Sequence, residues 1–130
     1  MKVIHVSGRR KKAIARATLR PGKGKVYING VLLEFFQPAV ARQRIMEPLL
    51  LAESAGEKSD IFVKTNGGGI MGQTEAARLA IARALSEHTK SLRAVFLKYD
   101  RHMLVADVRT KEMRKPNDSK ARAKRQKSYR

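Results

Sequence analysis

The first third of the chain alternates apolar and polar positions, a pattern with the two-residue period of β-strands. Residues 2–7 and 13–20 are rich in β-branched side chains, and in the second segment the small apolar groups share one face. That face carries Ala13, Ala15, Ala17 and Leu19, whereas the other carries Ile14, Arg16, Thr18 and Arg20. The pattern predicts a strand that packs small side chains inward and directs guanidinium groups outward.

Turn signals extend this β-structure. A Pro-Gly-Lys-Gly sequence at residues 21–24 predicts a turn, and Asn29-Gly30 between two short apolar runs is a strong hairpin signal. Residues 60–66 predict a further strand. The N-terminal part of the chain is therefore expected to form antiparallel β-structure.

Helical spacing of apolar residues begins after this part. Pro38 suits the first turn of a helix, and Pro48 is expected to interrupt or restart that helix. The part of this helix after Pro48 then continues to Gly56, a residue that suits a C-cap. Residues 73–88 predict the clearest helix of the chain, and residues 91–99 predict a short one.

The helix over residues 73–88 has an apolar stripe made mostly of alanine. The stripe consists of Ala77, Ala80, Ile81, Ala84 and Leu85. Arg78 and Arg83 lie off it. The order of strands, helix, strand and helix predicts an α+β fold, with a single mixed sheet and helices packed on it.

Length and composition fit one such domain. The chain has 130 residues, enough for one core, and 42% of them are hydrophobic. It contains no Cys, which excludes a disulfide scaffold, Cys-ligated zinc and cysteine catalysis. We expect neither a membrane-spanning helix nor a secretory signal, because no apolar run has the required length.

The charge is concentrated at the two ends of the chain. The 29 Lys and Arg residues exceed the 11 Asp and Glu residues by 18, and residues 1–25, 26–108 and 109–130 carry +9, +1 and +8. The last segment has too few apolar residues for a core. We therefore predict a globular domain over residues 1–108 and an extended basic tail over residues 109–130. Self-repulsion on this scale favours a polyanionic partner.

Catalytic chemistry is not indicated. His5, His88 and His102 lie far apart and have no carboxylates at ligand spacing, so we expect no metal, no cofactor, no small-molecule substrate and no enzymatic activity. The aromatic residues do not form the stacking pattern of an RNA-recognition motif. A membrane-surface protein is disfavoured because the basic tail lacks an apolar face. A free-standing DNA-binding protein stays open, because phosphate contacts do not distinguish DNA from RNA.

Residues 67–72 (GGGIMG) satisfy G-x-G-x-x-G between a predicted strand and a predicted helix. A nucleotide-binding enzyme is the alternative function that this motif suggests, but the ribose-binding acid expected about 20 residues further on is missing. The glycines also suit a sharp strand-to-helix turn. A third interpretation is that bare backbone N–H groups at a helix N-terminus bind phosphate of an RNA.

Several segments together resemble one family, that of small-subunit ribosomal protein S-nine. Residues 67–85 (GGGIMGQTEAARLAIARAL) are similar to its signature, residues 7–30 to its N-terminal part, and residues 120–130 (KARAKRQKSYR) to its terminal tail. Residues 99–107 (YDRHMLVAD) look like the archaeal and eukaryotic branch. Many relatives have a glycine-rich link before the tail, where this chain has Lys-Pro-Asn-Asp-Ser at residues 115–119.

The resemblance implies a fold like that of the second domain of ribosomal protein S-five, with a left-handed crossover. It further implies a non-catalytic structural role in the head of the small subunit of the cytoplasmic ribosome. The partners would be small-subunit rRNA, neighbouring ribosomal proteins and, at the end of the tail, the tRNA in the peptidyl site.

The charge pattern, the glycine motif and the resemblance together predict two sets of RNA-contacting residues. The expected rRNA-binding residues are Arg9, Arg10, Lys11, Lys12, Arg16, Arg20, Lys23, Gly67, Gly68, Gly69, Gln73, Arg109, Lys111, Arg114, Lys115, Lys120, Arg122, Lys124 and Arg125. The resemblance implies that the tRNA-contacting residues are Lys127, Ser128, Tyr129 and Arg130.

Overall fold

The structure, a computed structural model, describes residues 2–129. In this part of the chain there are five strands, namely β1 (Ile4–Arg10), β2 (Ala13–Pro21), β3 (Val26–Ile28), β4 (Val31–Leu32) and β5 (Ser59–Asn66). The α-helices are α1 (Ala39–Ala52), α2 (Ile70–His88) and α3 (Leu92–Tyr99). Short 3₁₀ turns occupy Leu33–Phe35, Glu53–Gly56 and Arg101–Met103.

The strands form one mixed sheet in the order β1-β2-β5-β3-β4. Only β3 and β5 pair in parallel; the other neighbours are antiparallel. The Asn29-Gly30 hairpin between β3 and β4 forms as predicted, and both residues have positive φ. Three helices pack on the sheet, which confirms the predicted α+β class.

The core lies between the sheet and α2. The inward-facing residues of β2, from Ala13 to Leu19, are fully buried, as are all five residues of the predicted alanine-rich stripe of α2. Small side chains on both elements let the helix lie close to the sheet. Helix α2 contacts β1, β2 and β5, and α1 packs against α2. None of the helices within residues 2–129 covers the opposite face of the sheet.

Several element boundaries differ from the sequence prediction, and β1 is one of them, since it spans Ile4–Arg10 rather than residues 2–7. Pro48 neither interrupts nor restarts α1, which continues to Ala52; the proline ring is fully buried, and this burial offsets the lost backbone hydrogen bond. Gly56 is not the C-cap of this helix, because Glu53 occupies that position with a φ of 47°. Helix α2 begins at Ile70, three residues earlier than predicted, and so includes Gly72.

Arg78 lies off the alanine stripe, yet only 1% of it is exposed. Its guanidinium lies between two acids, with Nη2 2.6 Å from Glu47 Oε2 and Nη1 3.1 Å from Asp100 Oδ2. Burial opposes the charged form of Asp100, but hydrogen bonds from the His102 N–H and from Arg78 outweigh it and hold the Asp100 pKa below its ordinary value. The buried cation thus joins α1, α2 and the segment after α3.

Arg44 and Arg83 also bind groups within the domain. Arg44 pairs with Glu47 and Glu75, and the hydrogen bond that Arg44 donates to Glu75 is the main reason why the pKa of Arg44 is raised. Arg83 donates to the carbonyls of Leu104 and Ser7, at 2.9 and 2.8 Å. The hydrogen bonds and ion pairs of these arginines connect elements of the domain to one another.

Candidate nucleic-acid interface

The hairpin of β1 and β2 carries the first basic cluster at its tip. Arg10 pairs with Ala13, so only Lys11 and Lys12 form the turn. A two-residue hairpin turn favours Asn or Gly because it requires positive φ, yet Lys11 occupies this conformation with a φ of 52°. The turn therefore presents two ammonium groups, one of them from a position that suits Asn or Gly better than Lys.

The glycine loop packs directly under this hairpin tip. Gly67 and Gly68 have φ values of 73° and 66°, a region that other residues rarely adopt. A Cβ on Gly67 would lie 2.6 Å from the Lys12 carbonyl oxygen, and one on Gly68 would lie 2.9 Å from the Ala13 Cβ. Packing therefore explains why glycines occupy these positions, because only residues without a side chain let the loop approach the hairpin this closely.

Gln73, a predicted rRNA-binding residue, faces this loop. Its Nε2 donates to the Gly67 carbonyl at 3.1 Å, and its Oε1 accepts from the Thr65 hydroxyl at 3.3 Å. The Gln73 side chain therefore holds the loop closed. Contact between Gln73 and RNA stays a prediction.

A groove of about 1060 Å³ runs between the hairpin tip and the start of α2, and we call it the basic groove. It is lined by Arg9, Arg10, Lys11, Lys12, Gly68, Gly69, Ile70, Met71, Gly72, Arg109, Thr110 and Lys111. The lining brings together the predicted hairpin cluster, two of the predicted glycines and the first cations of the tail. No side chain caps α2, so its first backbone N–H groups are open to this groove.

Asp107 fixes one wall of the basic groove. Its carboxylate lies 2.6 Å from Arg10 Nη1 and 2.7 Å from Arg109 Nη2. The hydrogen bonds from Arg109, helped by the charge of Arg10, hold the pKa of Asp107 well below its ordinary range. Asp107 therefore ties the start of the tail to β1 and stays charged at neutral pH.

The remaining cations of the hairpin have no such partner. No acidic side chain within residues 2–129 lies at ion-pairing distance from Arg9, Lys11 or Lys12. All three side chains are exposed. Their charge is therefore available to an external anion.

The other predicted residues of the first basic segment lie on the face of the sheet that faces away from the helices, or at its edge. Arg16 and Arg20 are exposed there on β2. The backbone N–H groups of Lys23 and Lys25 donate to Asp60 Oδ1 at 2.8 and 2.9 Å, and these bonds lower the pKa of Asp60. The carboxylate thus orders the loop and leaves the lysine side chains exposed.

An aromatic pair on this face was missed by the sequence analysis. Tyr27 on β3 and Phe62 on β5 stack with ring centroids 5.1 Å apart and an interplanar angle of 4°. The Arg20 guanidinium carbon lies 5.8 Å from the centre of the Phe62 ring. No local pattern predicts this cluster, because its members are brought together by the parallel pairing of β3 with β5.

Most tail residues are exposed, and the described residues beyond Met103 contain neither helix nor strand. Arg122 pairs with Glu112 at 2.6 Å, and Arg114 Nε donates to the Asp118 carbonyl at 2.9 Å. Lys115, Lys120, Lys124 and Arg125 are exposed, as are Lys127, Ser128 and Tyr129, whereas Arg130 lies outside the described residues. The domain boundary at residue 108 and the extended path of the tail stay predictions.

No group of three His, Asp or Glu side chains within residues 2–129 is arranged to hold a metal ion. None of the helices in this part of the chain is long and apolar enough to span a membrane.

Comparison with known proteins adds independent information. The sequence pattern of the family described as "Ribosomal protein S9/S16" matches residues 8–130. A curated relative, "Small ribosomal subunit protein uS9" of Methanothrix thermoacetophila, is 48% identical over 132 aligned residues that cover the whole of both chains. Both matched ranges include the hairpin, the glycine loop and the alanine-rich helix that shape the basic groove. The chain therefore belongs to the S9 family of ribosomal proteins.

Proposed function

We propose that this chain, a non-catalytic structural component of the small ribosomal subunit in the cytoplasm, binds rRNA phosphates in the basic groove. Family membership supports the structural role. The observation that carries the proposal is the convergence of unpaired cations from the hairpin and the tail on the open N-terminus of α2. Cations and exposed backbone N–H groups are the two kinds of group that bind phosphate oxygens.

The charge distribution favours a polyanion over a single phosphate. Arg9, Lys11 and Lys12 lie at one side of the groove, and Lys111 of the tail lies at another. An extended backbone with many phosphates neutralises such a surface and releases its counterions, which adds to the affinity. Neighbouring ribosomal proteins are the second class of partner that membership of the subunit implies.

The remaining tail residues belong to the same proposal. The exposed cations from Arg114 to Arg125 contact rRNA as the tail leaves the domain. Its last residues, Lys127, Ser128, Tyr129 and Arg130, reach the peptidyl-site tRNA. Exposure of the described ones and the resemblance to the family support this assignment.

The first prediction concerns the salt dependence of rRNA binding. A triple variant, Arg9→Gln, Lys11→Gln and Lys12→Gln, removes three unpaired charges and leaves the Arg10–Asp107 pair intact. The slope of log K against log salt should become shallower by about 2–3, because each lost phosphate contact contributes roughly 0.7–0.9. Filter binding to transcribed small-subunit rRNA over a range of KCl concentrations measures this slope.

A matched control removes the same charge from another surface. Lys90→Gln, Arg93→Gln and Lys98→Gln change three exposed cations at and near α3, away from the basic groove. We expect the control to change the slope by less than about 1. Equal slopes for the two triple variants would refute the basic groove as the phosphate-binding site.

A further inference from the structure

The face of the sheet that no helix covers presents a row of side chains across all five strands. Strand register aligns His5, Thr18, Phe62, Tyr27 and Leu32 from β1 to β4. The neighbours of Phe62 and Tyr27 along their strands are buried on the other face, so both rings stand on the open one. Phe62 is 41% exposed, which leaves part of an aromatic surface accessible to a ligand.

Cations border this aromatic row on both sides. Arg20 lies against the Phe62 ring on one side, and Arg16 and Lys64 are register partners in the next row on the other. Asp60 is the single acid that the described strands place on this face, and its carboxylate already accepts hydrogen bonds from the backbone of Lys23 and Lys25. The face therefore combines aromatic surface with uncompensated positive charge.

The open face continues from the basic groove without a gap. A second cavity, of about 580 Å³, is lined by Lys12, Ile14, Arg16, Asn29, Lys64, Thr65, Asn66 and Gly67. Lys12 lines this cavity and the basic groove, so a polyanion that leaves the groove passes directly onto the sheet. A polyanion bound in the basic groove is therefore the kind of partner that the open face fits.

We propose that the open face binds an unpaired rRNA segment and stacks a base against the Tyr27–Phe62 pair. Cations at the phosphate positions and an aromatic surface between them are the combination with which proteins bind single-stranded nucleic acid. A duplex does not fit this role, since its bases are already stacked on one another. The inference rests on the proposed function, because it takes rRNA as the polyanion, and it adds a second site with a different chemistry.

The test separates stacking from charge. Phe62→Leu removes the aromatic ring but keeps apolar volume and charge, so the fold and the electrostatics are retained. The probe is a short single-stranded oligouridylate that contains one 2-aminopurine. Uridines stack weakly on their neighbours, so the fluorescence of the free probe is high and is quenched when the base stacks on the protein. We expect affinity for this probe to fall about 5- to 100-fold and quenching to be lost, whereas affinity for an RNA duplex of equal length stays within about twofold.

Two further variants serve as controls. Phe62→Tyr restores an aromatic ring and should restore binding and quenching. Phe35→Leu changes another exposed phenylalanine, 72% accessible and outside the open face, and should leave both unchanged. Circular dichroism of each variant confirms that the sheet is retained.

The outcomes for the two sites are distinct. If Phe62→Leu binds and quenches the probe as the original chain does, while the triple variant of the hairpin has a shallower salt slope, the stacking site is wrong and the proposed function stands. If Phe62→Leu instead lowers incorporation into the subunit without changing probe binding, the face docks a protein and the stacking proposal is overturned. If neither site affects binding of any RNA, both proposals fail.

Discussion

At the scale of single residues, the acids and the cations have different tasks. Glu47, Asp60, Asp100 and Asp107 are all engaged within the domain, where they accept hydrogen bonds from arginine side chains or backbone N–H groups. The cations of the hairpin tip have no such partner. Few acids hold the fold together, and the excess of positive charge is left at the surface.

Lys11 is the clearest example of a cation that does not serve the fold, because its backbone conformation disfavours a lysine. A left-handed non-glycine residue costs about 1–2 kcal/mol, part of which Gly would recover. We predict that Lys11→Gly raises the free energy of unfolding by about 0.5–1 kcal/mol and weakens rRNA binding at the same time. Urea denaturation and filter binding measure the two quantities on the same preparation.

Lys12→Gln is the matched control, since it removes a neighbouring charge without changing a left-handed residue to Gly. It should weaken rRNA binding with little effect on stability. A Lys11→Gly variant that gains no stability would mean that the turn is not strained, and one that binds rRNA normally would remove Lys11 from the interface.

At the scale of elements, the close approach of β1 to α2 determines where the hairpin tip lies. A Cβ at Gly8 would collide with the Ala76 carbonyl oxygen and would lie 2.8 Å from the Ala80 amide nitrogen. Both are backbone atoms of a buried helix, so they cannot move aside as a flexible side chain can. Gly8 thus sets the distance between the sheet and the helix that begins at the basic groove.

We therefore predict that Gly8→Ala destabilises the domain by about 1–3 kcal/mol. Urea denaturation followed by circular dichroism gives this difference. Gly69→Ala is the control, because a Cβ at Gly69 meets no atom within 4 Å and the residue has a negative φ. Its cost should stay below about 1 kcal/mol. Equal losses for the two variants would contradict the close packing of β1 on α2.

Element types were largely predictable from the sequence, and their ends were not. Alternation in β2, the Asn29-Gly30 turn and the alanine stripe of α2 are local signals, and each gave the correct element. The end of α1 and the start of α2 depend on burial of the Pro48 ring and on how the glycine loop packs under the hairpin. Burial of Arg78 depends on Glu47 and Asp100, which lie far from it in sequence.

At the scale of the whole molecule, the charge forms two basic regions on either side of residues 26–108, which are nearly neutral. Residues 1–25 and 109–130 carry +9 and +8, and the structure brings the start of the second next to the tip of the first through Asp107. The basic groove is therefore the place where the two ends of the charge distribution meet. We expect the rest of the tail to extend from this groove and to contact a second partner.

Deletion of residues 126–130 tests the role assigned to the end of the tail. We predict that subunits reconstituted with this variant assemble normally but bind peptidyl-site tRNA about 5- to 10-fold more weakly, the effect of losing one charge-assisted contact. Filter binding of labelled tRNA to purified small subunits measures the change.

The double variant Lys115→Gln, Lys120→Gln serves as the control. It also removes two positive charges, but from the part of the tail nearer the domain. This variant should retain tRNA affinity and lose some affinity for rRNA. A deletion that leaves tRNA binding unchanged would contradict the assignment of residues 127–130.

The sequence by itself determined the fold class, and its net charge predicted a polyanionic partner, because periodicity, turn chemistry and net charge are local or additive properties. Tertiary structure alone decided which of these residues meet. Sheet pairing placed Tyr27 beside Phe62, and packing of the glycine loop against the hairpin created the basic groove. Such contacts depend on the register of strands that are distant in sequence, and no local pattern contains that information.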